Sequence, residues 1–332
     1  MINVALLSKW HVHAEDYARQ VQENKQLSLA CIWDEDTRRG KEWADKWEVP
    51  FEENLDSVLN DPHIDAVIIN TPTKWHTEII QKAAAHKKHI FTEKVLAFTV
   101  ESCRKIYKMV EKENVKLMVS LPRLTESYFL YAEEALKKGW LGNLTSIRCR
   151  LAHNGSVSTE AHPNGWLPSH FYDKDDCGGG ALIDLGAHPI YLTNRLAGPL
   201  ANVYSSLHPS PDYNVEDNAV VVTQYKSGAI GVIETGFTSY GSPFQLELYG
   251  TEGCLLIEDS NVRIRSTQLN KNKWFEPEEF PENLPTAMEQ WVHLIQNDVA
   301  PSITKEDIIS LTLLNEAAYL SNEQGKRIDI EQ

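Results

Sequence analysis

The chain has 332 residues, enough for one large core or two ordinary ones, and its 42% hydrophobic and 24% charged residues are those of a soluble globular protein. A formal net charge of −15 argues against nucleic acid and anionic membrane as partners, since both are bound by clustered Lys and Arg. No run approaches the ~20 apolar residues of a membrane span, no signal-peptide pattern is present, and the five cysteines Cys31, Cys103, Cys149, Cys177 and Cys254 lack CxxC spacing. Reduced thiols and a cytoplasmic location are therefore expected.

Apolar β-type runs at 2–7, 28–33, 65–70, 89–92 and 116–120 alternate with helical patterns at 13–24, 37–47, 54–60, 74–87 and 99–113. That alternation predicts βαβ units and a parallel sheet covered on both faces, with ligands bound beyond the carboxyl ends of the strands. Chemistry is expected just after residues 7, 33, 70 and 92. Past Leu121-Pro122-Arg123 a helix near 125–138 precedes β-type runs at 145–153, 202–208, 218–226, 229–238, 244–250 and 253–258. Turn residues at 226–228 and 250–253 predict antiparallel pairing there. Helices are expected over about 180–196, 285–297 and 304–323. The predicted division is 1–122, a doubly wound α/β domain, and 123–332, an α+β domain with a large, open, mostly antiparallel sheet.

Four strand-end segments carry candidate chemistry. The turn after the first strand reads Ser8-Lys9-Trp10-His11-Val12-His13 and holds no glycine. Asp34 ends the second run; it is either an ordinary loop carboxylate or an acceptor for the adenosine ribose hydroxyls that repels a 2′-phosphate and so favours NAD over NADP. Arg38 and Arg39 follow, and either could hold a phosphate instead. Thr71-Pro72-Thr73 closes the next strand, turning backbone toward a ligand, with His76 three residues on as a more readily structural than catalytic histidine. Glu93 and Lys94 end a buried run; they form either a solvated pair or the edge of a cleft, where the lysine could stabilise alkoxide charge.

The stretch "DDCGGGALIDLGAHPIYL" is the most informative. Gly178, Gly179 and Gly180 allow close backbone approach before a helix, and Asp184 and His188 stand at i and i+4. A carboxylate beside an imidazole suits a general base; a satisfied core histidine and half of a metal site are the alternatives. No third ligand with metal-like spacing lies nearby, which argues against zinc, and no metal is expected.

With those residues in hand, the chain resembles the Gfo/Idh/MocA oxidoreductases, the family of glucose-fructose oxidoreductase and inositol dehydrogenase. "TPTKWH" is similar to the family's TPNxxH, "TEKVLA" to its EKPLA, and "GGGALIDLGAHPIYL" to its GGGxLxDxGxH. "VEDNAVVVTQYKSGAIGVIETGF", "LELYGTEGCLLIED" and "EAAYLSNEQGKRIDI" extend the match over nearly the whole chain. The resemblance implies a Rossmann domain, an α+β substrate domain whose open sheet forms dimers or tetramers, and bound NAD. It also implies hydride transfer at a hydroxyl-bearing carbon of a sugar, cyclitol or related polyol. By position, Lys94, Asp184 and His188 match the catalytic trio: His188 takes the hydroxyl proton, Asp184 holds its ring and Lys94 stabilises the alkoxide.

Two departures stand out. Aligned by strand, Ser8 and Trp10 replace the first two glycines of GxGxxG; aligned by His13-Ala14, the turn is about three residues short. The expectation is a reshaped turn in which helix amides, Ser8 and Lys9 still attract the diphosphate and Trp10 and His11 line it. The alternative has Trp10 packed in the core and the nucleotide site lost. Val95 stands where the family has proline, so the geometry of the Lys94–Val95 bond is open. Candidate substrate contacts are Arg123, Arg150, His153, Asn154, Trp166 and His170. A non-catalytic descendant, or a glycosidase using bound NAD by transient oxidation, are the alternative functions.

Overall fold

Short apolar runs separated by amphipathic segments fold as the alternation predicts. In the computed structural model, which describes residues 1–210 and 212–331, strands β1 (Ile2–Leu7), β2 (Leu27–Trp33), β3 (Phe51–Glu52), β4 (Ala66–Ile69), β5 (His89–Thr92) and β6 (Leu117–Val119) alternate with helices. These are α1 (Ala14–Glu23), α2 (Thr37–Trp47), α3 (Leu55–Asn60), α4 (Thr73–Ala85) and α5 (Val100–Glu113). All strand pairs are parallel, in the order β3-β2-β1-β4-β5-β6. Every residue of β4 is buried, as a central strand covered on both faces must be. The order reverses between β1 and β4, so the crevice opens at their carboxyl ends.

The rest of the chain builds α6 (Ser127–Lys137), β7 (Leu144–Ala152), α7 (Lys174–Cys177), α8 (Ala187–Ala197), β8 (Leu200–Pro209), β9 (Glu216–Tyr225), β10 (Ile230–Gly236), β11 (Gln245–Gly250), β12 (Gly253–Glu258) and β13 (Asn261–Ser266). After these come α9 (Ala287–Asn297), α10 (Lys305–Gln324) and β14 (Ile328–Asp329). The second sheet has eight strands in the order β13-β12-β11-β7-β10-β9-β8-β14, antiparallel except for β7 against β10. The turns at 226–228 and 250–253 join antiparallel partners, as their composition predicts. β13 and the two-residue strands β3 and β14 escape the sequence reading.

One face of this sheet packs against α8 and α10. Across the other, register aligns Tyr204, Val222, Val232, Arg148, Glu247, Leu256 and Arg263 in one row. Tyr204, Val220, Val222 and Ile230 are exposed there.

The chain divides into Met1–Ser120 with Pro285–Ile303, and Leu121–Leu284 with Thr304–Gln332. The division at 122 read from the sequence therefore needs correcting: α9 belongs with the first unit. There Trp291 is fully buried, its ring 5.6 Å from that of Phe91 on β5. An amphipathic helix carries no mark of which core it joins, so chain order misplaced it. α8 also starts later than expected, at Ala187, with residues 181–186 forming turns.

Candidate active site

The glycine-free turn keeps one glycine property. Ser8 sits at φ +74, in the left-handed region that usually demands glycine. Its buried hydroxyl accepts the Trp10 amide at 3.0 Å, which offsets part of that cost. Three further turn amides are engaged too. Lys9 N–H donates to Asp34 Oδ2 at 2.8 Å, His11 N–H to the Asn70 carbonyl at 3.2 Å, and His13 N–H to His11 Nδ1 at 3.2 Å. The Lys9 ammonium pairs with Glu15 at 2.9 Å. These three amides therefore donate within the protein. Trp10 is buried at 8% exposure, which is the packed arrangement of its indole.

Asp34 has no exposed side-chain surface. Its oxygens accept from Lys9 N–H, from Asp36 N–H at 2.8 Å, and from Arg39 Nε at 3.0 Å and Nη2 at 2.7 Å. Arg39 is thus the basic residue that matters here, while Arg38 is exposed in the first turn of α2. Glu35 shares the Arg39 guanidinium at 2.7 Å.

At the end of β4, Asn70 is fully buried with neither side-chain amide atom hydrogen-bonded, and the Thr71 hydroxyl is likewise buried and unpaired. Sequence reasoning named Thr71 but missed Asn70, although an amide closing an apolar strand is a signal of the same kind. His76 is structural: Nδ1 lies 3.1 Å from the Val95 carbonyl and Nε2 3.1 Å from that of Thr71. It ties the Thr71-Pro72-Thr73 turn to the segment after β5.

Glu93 and Lys94 are both buried, at 2% and 7% exposure, so the solvated-pair alternative is overturned. Burial alone would raise the Glu93 pKa, but the charges of His11, His13 and Lys94 outweigh it and hold the carboxyl well below its usual range. His13 Nδ1 donates to Glu93 Oε1 at 2.9 Å and the Tyr17 hydroxyl donates to the same oxygen. His11, His13 and Glu93 are close enough to hold a metal ion. Yet His11 Nδ1 already accepts the His13 amide, so the cluster closes through hydrogen bonds. The Lys94–Val95 peptide is cis.

In the second unit the three glycines are explained by what approaches them. Gly178 has φ +82, and a Cβ on Gly179 or Gly180 would meet Tyr319 Oη at 1.9 Å or the Glu216 carbonyl at 2.1 Å. The Glu216 carboxylate accepts from Gly180 N–H at 3.1 Å, Leu182 N–H at 2.9 Å and the Tyr319 hydroxyl at 2.7 Å, fixing the segment that leads to Asp184. Asp184 lies in the turn before α8, and His188 in its first helical turn, so they are not on one continuous helix. The His188 Nδ1 contact is the Tyr191 hydroxyl at 2.8 Å, which also accepts the Arg123 amide at 3.3 Å. Tyr191 was missed because a tyrosine on an apolar helix face reads as core.

Asp184 acts electrostatically on His153: burial lowers that histidine's pKa and the Asp184 charge opposes the shift. His153 stacks on Phe237 at 5.1 Å and meets Trp166 at 4.6 Å, while Trp166 Nε1 donates to Asn154 Oδ1 at 3.4 Å. His153, Asn154 and Trp166 therefore gather with Asp184. The Arg123 guanidinium lies over the Phe244 ring at 4.6 Å and donates to the Tyr128 hydroxyl at 3.0 Å. Arg150 stands apart from that group. It shares its sheet face with Arg148 and donates to Ser239 and Ser242 at 3.1 and 3.2 Å, because alternate residues of β7 face opposite sides. His170 lies in a short 3₁₀ segment, its carbonyl accepting the Cys177 thiol at 3.4 Å.

Residues 11–121 match the oxidoreductase family model with an NAD-binding Rossmann fold, and 129–256 match the Gfo/Idh/MocA C-terminal domain. The scyllo-inositol 2-dehydrogenase (NAD(+)) of Bacillus subtilis is 30% identical over 74% of this chain and 70% of its own length. The chain belongs to the Gfo/Idh/MocA oxidoreductases. Within that family the myo-inositol 2-dehydrogenase of Thermotoga maritima is 24% identical over 83% of this chain and 82% of its own. A levoglucosan dehydrogenase solved with NADH and levoglucosan shares the fold at TM-score 0.84, with 22% identity and full coverage of both chains (100% each). The family match starts at His11, after Ser8, Lys9 and Trp10.

The strand ends fit the family's nicotinamide dinucleotide. Ser8 supplies the left-handed bend after β1, and Asn70 and Thr71 bring unpaired polar atoms to the end of β4. None of the five cysteines is in a disulfide, and no helix among the described residues is long and apolar enough to cross a membrane.

Proposed function

We infer that this chain is an NAD-dependent oxidoreductase that acts on a hydroxyl-bearing carbon of a sugar or cyclitol. The observation that carries the reading is a family match over both halves, with an inositol dehydrogenase among the relatives. NAD, when bound, supplies the hydride acceptor. Thr71-Pro72-Thr73, Glu93 and Lys94 end the strands that face it, and Lys94 offers an ammonium to a developing alkoxide. With Nδ1–H directed to the Tyr191 oxygen, His188 takes the substrate proton at Nε2. Asp184 contributes negative charge that favours the protonated imidazole. His153, Asn154 and Trp166 offer a ring stack and an amide, a surface suited to a polyhydroxylated ring. Five cysteines without a disulfide support a reducing, cytoplasmic setting.

Titration with NADH tests the reading. Saturable tryptophan quenching in the micromolar range is expected, together with reduction of NAD⁺ by at least one member of a panel of inositols, aldoses and anhydrosugars. Folded protein that shows no quenching at millimolar NADH refutes it.

The exposed Tyr204, Val220, Val222 and Ile230 on one face favour a homo-oligomer, dimer or tetramer, built on the second sheet. Light scattering should report a multiple of the chain mass, and Val222→Glu should reduce it to the single-chain value. A monomeric wild type at tens of micromolar disproves this assembly.

A further inference from the structure

With 47 acidic and 32 basic residues the chain has carboxylates to spare, and its half-buried arginines use them. Arg39 pairs with Asp34 and Glu35, Arg148 with Glu234 and Glu247, and Arg195 with Asp307, all at 2.5–2.8 Å; Arg150 lies 3.7 Å from Glu234. Arg123 is the exception. It is half-buried too, yet among the described residues no carboxylate lies within ion-pairing distance of its guanidinium. The fork is nonetheless held in place. Nη1 donates to the Tyr128 hydroxyl at 3.0 Å, and the guanidinium carbon sits 4.6 Å from the centre of the Phe244 ring, both partners being buried. Nε and Nη2 donate to nothing among the described residues and are open to solvent. These two nitrogens form one edge of the guanidinium, spaced for the two oxygens of a carboxylate.

Resting on the proposed NAD-dependent activity, we propose that the substrate is a sugar acid, uronic or aldonic, whose carboxylate is bound by Arg123. The place is right for it. The Tyr191 hydroxyl accepts the Arg123 amide at 3.3 Å and lies 2.8 Å from His188 Nδ1. Burial pushes the Tyr191 and Tyr128 hydroxyls up and the Arg123 charge opposes it, so the field of this cation reaches the oxygen that holds the base. An anion on Arg123 is therefore anchored beside the histidine that takes its hydroxyl proton. One guanidinium neutralises one charge, which suits a carboxylate better than a phosphate dianion. The parent aldose offers the same fork only a hydroxyl, a weaker acceptor than an ionised group.

The test compares kcat/KM for glucuronate, galacturonate and gluconate with that for glucose, galactose and glucose 6-phosphate, in wild type, Arg123→Gln and Arg123→Lys. Wild type should favour the best acid over its parent aldose by about 10²-fold, chiefly through KM, the scale of a paired set of charge-assisted hydrogen bonds. Arg123→Gln should erase that preference. Arg123→Lys should restore part of it, since an ammonium keeps the charge and loses the fork. Tryptophan quenching by NADH and the melting temperature verify that each variant is folded. No turnover of any acid, equal use of acid and aldose, a preference that survives Arg123→Gln, or a preference for the phosphate over both overturns the assignment. If NADH binds and a neutral polyol is oxidised, the proposed activity stands in each of those cases. A wild type that neither binds NADH nor oxidises any compound overturns both.

Discussion

Replacement of His188 by asparagine is expected to lower kcat by about 10²–10⁴-fold while leaving NADH affinity within twofold of wild type. The size follows from what a positioned base contributes: without it, the hydroxyl proton must leave to water as hydride departs. Asparagine keeps a polar side chain of similar reach, so the loss reports proton transfer rather than a cavity. The ring's link to Tyr191 is removed, and Tyr191 still accepts the Arg123 amide. Steady-state rates with the best substrate of the panel check this, alongside a nucleotide titration. A variant retaining a third of wild-type kcat would move the base to another residue.

The second large effect is expected at Lys94. Lys94→Met should reduce kcat by about 10²–10³-fold, the scale observed when a charge-stabilising group is removed from an oxyanion. The side chain is 7% exposed and sits beside Glu93, whose carboxyl is held ionised by His11, His13 and Lys94 together. Methionine removes the Lys94 charge and leaves the His13 and Tyr17 hydrogen bonds to Glu93, so the fold should survive with a modest loss of thermal stability. Single-turnover reduction of NAD⁺, compared with the melting temperature, separates the two effects. A lowered melting temperature with unchanged turnover would show that Lys94 serves only Glu93.

The sequence makes most of the architecture legible because both periods are strong. The runs that became β1, β4 and β5 are short, apolar and nearly wholly buried, β2 is half-buried, and their helices are amphipathic. What escapes is information that only three dimensions hold. Asp34 occupies the ribose position by chain order, yet whether its oxygens are vacant depends on Lys9 and Arg39, which no spacing rule weighs. Asp184 and His188 read as one helix face, but Glu216, more than 30 residues later, pins the glycine segment and delays the helix to Ala187. Arg150 fits a polyol by chemistry, and strand alternation sends it to the opposite face of the sheet.

The excursion of the chain from Ser120 to Pro285 bears on how the protein is made. A ribosome releases the first six strands long before it polymerises Trp291, the residue that covers Phe91 on β5. Until then the nascent nucleotide domain carries an uncovered aromatic surface, and the intervening unit has the opportunity to fold first. A fragment ending at the apparent boundary would keep that defect permanently, so separate expression of the two halves calls for grafting residues 285–303 back onto the first.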